Sequence, residues 1–198
     1  IMSITGTGDG VPVRSGVSIL DLGTGVWMAL GVVGALLEKQ RSGRGQRVDA
    51  SLLQTGVMLM AYHLLFQQFT GQNPQPQGAK HTAFAPYGAY QASDGTLMIG
   101  ISGDAAFRRL CQALGHPEWT EDTRFRTNPE RVRNTPELDA LMNGVLGTQP
   151  SAHWAEVFDK HDVACDPLQT PEQILHDPQV AALGQLEQVT LEIGRAHV

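Results

Sequence analysis

The stretch from Leu22 to Leu37 constrains this chain more than any other. It runs for 16 residues without a charge, lies between Asp21 and Glu38, and is broken by glycines. A membrane helix needs about 20 apolar residues, so the stretch falls short of one and reads instead as a buried helix. From Gly25 to Gln40 the text is apolar all round and then abruptly charged, as in a core helix that surfaces at its C-terminal end. Arg41 at that end suits the helix dipole.

The next segment reads as part of an α/β layer. Ser42 to Gly45 is a turn, and Gln46 to Ala50 is a short strand candidate. Ser51 is a plausible N-cap for a second apolar helix, from Leu52 to about Phe69. Residues 71–79 are polar, uncharged and rich in Pro and Gly, which marks a linker.

A second unit is expected after the linker. Tyr87 to Ala92, the turn Ser93-Asp94-Gly95, and Thr96 to Ile101 read as a β-hairpin. Asp104 is placed to cap a helix over Ala105 to Leu114, whose Phe107, Leu110, Cys111 and Leu114 have helical spacing. Gly115 and Pro117 end it. Thr135 and Pro136 form an N-cap and N1 pair for a helix to Leu146, and Ser151 to His161 forms another. Gln169 to Leu175 is a further short helix.

Composition narrows the function classes. With 41% hydrophobic and 17% charged residues, the 198-residue chain should pack rather than stay disordered. Its net charge of −6 disfavours general nucleic-acid binding, which needs clustered Lys and Arg. Cys111 and Cys165 form neither a disulfide framework nor a zinc pattern, so a reducing, cytoplasmic compartment is expected. The histidines are scattered, and no metal site is expected from them. Arg108, Arg109, Arg124, Arg126, Arg131 and Arg133 alternate with acidic residues, as on a salt-bridged surface. Trp27, Trp119 and Trp154 read as core or half-buried packing. P-loop, dinucleotide-binding, nucleophile-elbow and zinc-protease signatures do not occur.

The ends look unlike those of a natural chain. The text starts at Ile1 in turn-rich domain sequence, and residues 192–198 resemble the translation of a sequencing adapter. The expectation is an internal fragment with a non-native tail.

Asp21 is the residue with chemical potential. It is a lone carboxylate between Ile19-Leu20 and Leu22, followed by Gly23-Thr24-Gly25 and a helix. Two readings stand side by side. One is a helix-capping aspartate. The other is a carboxylate nucleophile whose flanking glycines let a substrate approach the backbone, with amides around Gly23 to Gly25 as oxyanion donors.

The run from Pro12 to Gly25, then Gly34 to Glu38 and Ser42 to Leu53, resembles the class III CoA-transferases of CaiB/BaiF type. The likeness continues through Ala85-Pro86-Tyr87-Gly88-Ala89-Tyr90, Phe107 to Cys111, Asp122 to Phe125 with Asn128 and Arg131, and Ile174 to Val180.

The resemblance implies a fragment of a Rossmann-like large domain plus a smaller α+β domain, in a family that forms interlocked homodimers. Residues 1–70 would end the first segment of the large domain. Residues 80–175 would be the small domain, and 176–191 would begin the return to the large one. The family's nucleophile falls on Asp21, which would carry a mixed anhydride and then an aspartyl-CoA thioester. The acyl-CoA and a small carboxylic acid are substrates, and no separate cofactor, metal, nucleic acid or membrane is implied. Gly23, Gly25, Lys80 and His81 are the candidate substrate-binding residues. The glycine run that some members place near Lys80 is missing here. A related chemistry, proton transfer in α-methylacyl-CoA racemases, uses a glutamate just after the hairpin, where this chain has Ser102-Gly103-Asp104. The remaining alternative is an inactive fragment or a non-catalytic helical module.

Overall fold

The computed structural model describes residues 1–7, 9 and 11–187. Residues 192–198, expected to be a non-native tail, lie outside them. The fold is mixed α/β and divides into two units, Ile1–Lys80 and a second that begins at His81.

The first unit is helical. Helix α1 spans Ile19–Ser42 and ends at Gly43, whose left-handed φ of 74° lets its amide reach back to the Lys39 carbonyl. It therefore begins six residues before the expected start at Gly25, and Gly23 to Gly25 lie inside it. Its full length is 24 residues, so by length and composition alone it passes for a membrane-crossing helix. The core helix of a soluble protein passes the same test.

The expectation of burial is not met in this chain, because no residue of α1 is buried. Leu22, Val26, Leu30, Val33, Leu36, Leu37 and the expected core residue Trp27 are all exposed. Within this unit α2 packs against α1, and Val48 lies against α1 at Gly31.

The second apolar helix breaks in two at Met60, whose ψ of 9° leaves the helical range. Helix α2 is Leu52–Leu59, and α3 is Ala61–Thr70. Ser51 caps α2 as expected, its hydroxyl accepting from the Gln54 amide at 3.2 Å. The expected strand Gln46–Ala50 forms no ladder, since no other strand is present in the described residues of this unit to pair with it. Residues 71–79 hold no helix or strand, yet they are anchored: the Gly78 amide donates to the Gly6 carbonyl at 2.6 Å.

The second unit has its own core. Strands β1 (Tyr87–Gln91) and β2 (Thr96–Gly100) form the expected antiparallel hairpin. A third strand, β3 (Cys165–Pro167), pairs antiparallel with β2 from 65 or more residues away and had no sequence signal of its own. Helices α4 (Asp104–Ala113), α6 (Thr135–Leu146) and α7 (Ser151–Lys160) bury Phe107, Leu110, Cys111, Leu138, Met142, Leu146, Trp154 and Phe158 against Leu97, Ile99 and Ile101. Burial of this apolar surface is the main stabilising term. Short helices α5 (Asn128–Arg133), α8 (Pro171–Leu175) and α9 (Pro178–Ala182) complete the unit.

Three local expectations shift. The α4 N-cap is Gly103, which places Asp104 at the first helical position. Asn134 rather than Thr135 sits at the α6 N-cap. Arg131 is not on the surface at all: it is fully buried. Its Nε and Nη1 donate to the Ala85 and Phe125 carbonyls at 2.7 and 2.9 Å, and its guanidinium lies over the Phe107 ring. These fixed acceptors and the ring face replace its hydration.

Candidate active site

Asp21 is the third residue of α1 after the N-cap, Ser18. It sits in the first turn but is not itself the cap. Ser18 makes no side-chain cap bond; its hydroxyl accepts from Arg14 Nη2 at 3.3 Å. The capping reading of Asp21 thus has no hydrogen bond behind it. Its carboxylate is exposed, and no hydrogen bond or ion pair engages it among the described residues.

The amides around it are arranged differently from the expectation. The Leu22 amide already donates to the Ser18 carbonyl at 3.0 Å, and the Ile19 amide to Val17 at 2.9 Å. Gly23 to Gly25 lie beyond that point, where helical amides are consumed by the i to i−4 ladder. They are therefore not free oxyanion donors. Among the described residues, the amides left without a partner here are those of Leu20 and Asp21, at the positive end of the helix dipole.

Gly23 instead serves helix packing. A Cβ there would lie 3.1 Å from the Thr55 methyl of α2. One position on, the Thr24 and Thr55 hydroxyls are 2.8 Å apart. Gly25 has open space at its Cβ position.

Lys80 and His81 straddle the division of the chain. Lys80 closes the first unit, its amide donating to the Gln77 carbonyl at 3.1 Å. His81 opens the second, and its ring lies within 5.0 Å of Phe84 and 5.2 Å of Tyr87. The Nδ1 atom of His81 accepts from the Ala83 amide at 3.0 Å, so a neutral ring carries its proton on Nε2. Asn128 then clamps the same segment, its Oδ1 accepting from the Ala85 amide and its Nδ2 donating to the Ala83 carbonyl.

A cavity of about 320 Å³, lined by Ser102, Arg109, Asp159 and Asp162 among others, contains none of the expected site residues. Among the described residues no group of His, Cys, Asp and Glu is placed to hold a metal ion.

The model of CoA-transferase family III matches residues 1–198. The chain belongs to CoA-transferase family III. Acetyl-CoA:oxalate CoA-transferase from Acetobacter aceti is 35% identical over 187 residues, covering 94% of this chain and 48% of that protein. Succinyl-CoA:glutarate CoA-transferase from Mus musculus is 31% identical, covering 91% of this chain and 41% of its own length. A CaiB/BaiF family protein from Brucella suis has a solved structure with a TM-score of 0.77 and 32% identity, covering 93% of this chain and 49% of that one. The chain spans about half the length of the relatives it matches. Sequence reasoning singled out Asp21 and gave no role to Ser18, Arg14 or Thr55. Ser18 and Arg14 lie in the family-like run from Pro12 to Gly25, whereas Thr55 gave no signal.

Proposed function

We propose that the full-length gene product containing this sequence transfers CoA from an acyl-CoA thioester to a small carboxylic acid, with Asp21 as nucleophile. One observation carries the proposal: in the first turn of α1 the Asp21 carboxylate is exposed and, among the described residues, unengaged, beside Leu20 and Asp21 amides that have no partner among them. A carboxylate held by partners would be a weaker nucleophile.

The chemistry balances in four steps. An Asp21 oxygen attacks the thioester carbonyl carbon, the C–S bond breaks, and CoA leaves as thiolate. The thiolate attacks the Asp21 carbonyl of the resulting anhydride, releasing the donor's carboxylate and leaving an aspartyl-CoA thioester. The acceptor carboxylate attacks that thioester, giving a new anhydride and free thiolate. The thiolate attacks the acceptor's carbonyl, and Asp21 departs as carboxylate. Each tetrahedral intermediate needs donors for its oxyanion. The Leu20 and Asp21 amides are the assigned candidates, and Lys80 and His81 are proposed to contact substrate.

Racemase chemistry is the weaker reading. Asp104, which kept it open, accepts from Arg131 Nη2 at 2.8 Å and is committed to that pair. We further propose a cytoplasmic, interlocked homodimer for the full-length protein, and no CoA transfer by the 198 residues alone. The test is Asp21→Asn in the full-length protein, assayed with acetyl-, succinyl- and branched acyl-CoA donors against short acids. Loss of transfer, together with loss of a hydroxylamine-sensitive adduct on the Asp21 peptide, is expected. Unchanged transfer overturns the proposal.

A further inference from the structure

Asp21 and Thr24 are three residues apart on α1, so they share one helix face. Thr24 is tied to α2. Its hydroxyl lies 2.8 Å from that of Thr55, which is buried, 31 positions later in the chain. Counting protons sets the direction of this bond. A threonine hydroxyl has one proton to give. Both bonds can be made at once in one way only: Thr55 gives its proton to the Ser51 carbonyl at 3.2 Å, and Thr24 donates to Thr55. The relay runs from Thr24 through Thr55 to Ser51, and Ser51 is itself fixed as the α2 N-cap.

Two consequences meet at Asp21. The Thr24 proton points into the helix contact and is unavailable to the carboxylate one turn away, which keeps Asp21 free of a donor that would blunt it. The first turn of α1 is also pinned sideways. Gly23 lets α2 approach until the Thr55 methyl sits 3.1 Å from where a Cβ would stand. On the neighbouring turn, Leu20 Cδ2 fills the space over Gly56 at 3.5 Å. The turn bearing the nucleophile is thus held by one hydrogen bond and two close contacts, all to α2.

We infer that Thr55 is a positioning residue for Asp21, fixing the α1 first turn and drawing the Thr24 proton away from the carboxylate. This rests on the reading of Asp21 as nucleophile. Misplacing a reacting group by about 1 Å costs up to about 100-fold in rate.

The test uses the full-length protein and the donor–acceptor pair that the wild type turns over. Thr55→Val keeps the volume and removes the hydroxyl; Thr55→Ser keeps the hydroxyl; Thr24→Val breaks the relay at its half-buried end and covers the case in which Thr55→Val does not fold. Single-turnover formation of the Asp21-CoA thioester is followed by mass spectrometry of the Asp21 peptide, normalised to folded active sites counted by CoA binding. Thr55→Val and Thr24→Val are expected to slow it about 10- to 100-fold with KM within about twofold, and Thr55→Ser to restore it. A purely structural hydroxyl would lower the melting temperature and leave the normalised rate unchanged, which overturns the inference. If Asp21→Asn still transfers CoA, or no adduct forms on the wild-type Asp21 peptide, the nucleophile reading itself fails instead.

Discussion

Arg131 Nη2 donates to Asp104 Oδ1 at 2.8 Å, linking a fully buried guanidinium to a carboxylate whose side chain is 48% exposed. The two ends of this pair are unequal. Arg131 also satisfies two backbone carbonyls, Ala85 and Phe125, whereas Asp104 is still reached by water. Removing the arginine leaves buried acceptors unmet. Removing the carboxylate charge leaves a neutral oxygen still able to accept.

Arg131→Met is therefore expected to destabilise the second unit by about 3 kcal/mol or more. Asp104→Asn should cost about 1 kcal/mol or less. Urea unfolding of the full-length protein checks the asymmetry; equal losses for the two variants would contradict it.

Gly31 runs against helix propensity. Alanine is ordinarily better than glycine inside a helix by about 1 kcal/mol. A Cβ at Gly31, however, would meet Val48 Cγ1 at 2.7 Å, and valine has few rotamers with which to yield. Gly31→Ala is expected to lose about 1 kcal/mol net of that propensity gain. A chemical-denaturation midpoint that rises in the variant would show that the helix and Val48 separate at little cost.

Both thiols are held in the neutral form. Burial pushes Cys111 up to about 12, with Arg131 opposing and Glu118 adding to the shift, and burial with Asp166 pushes Cys165 up to about 12. Both should react slowly with a disulfide reagent at about pH 8 and rapidly once unfolded. A raised thiol pKa contributes stability that is complete below the unfolded value and is lost as pH climbs towards the folded one. Stability should accordingly fall between about pH 9 and 12, and Cys111→Ala should flatten part of that fall. Fast thiol reaction in the native protein would refute the assignment.

Asn128 bridges Ala83 and Ala85 through both ends of its amide. Asn128→Ala should expose the Ala85 amide to exchange about five- to tenfold faster, while Arg131 still holds the Ala85 carbonyl. Deuterium uptake of the peptide spanning 81–87 reads this directly. Unchanged uptake would mean that the segment is fixed without Asn128.

Asp21 stands out in the sequence because its context is local: a carboxylate between apolar residues, then glycines, then a long uncharged run, all within neighbouring turns of one helix. The same holds for the hairpin around Ser93-Asp94-Gly95 and for the Ser51 cap, where turn chemistry and a side chain within three residues decide the conformation. Where sequence reasoning erred, distant groups decided. The start of α1 at Ile19 brought Gly23 to Gly25 into the helix, leaving the open amides at Leu20 and Asp21. Strand β3 exists because β2 offers it an edge. Arg131 looks like one more surface arginine until turns far apart in the chain deliver the Ala85 and Phe125 carbonyls to it. The Thr24–Thr55 bond spans 31 positions and joins two residues with no shared pattern. Backbone preferences and capping act over a few residues and are written in the local text. Side-chain hydrogen bonds between helices, burial of a charge and the packing of the start of α1 against α2 depend on which distant groups the folded chain brings within about 3 Å, and only the tertiary structure decides that.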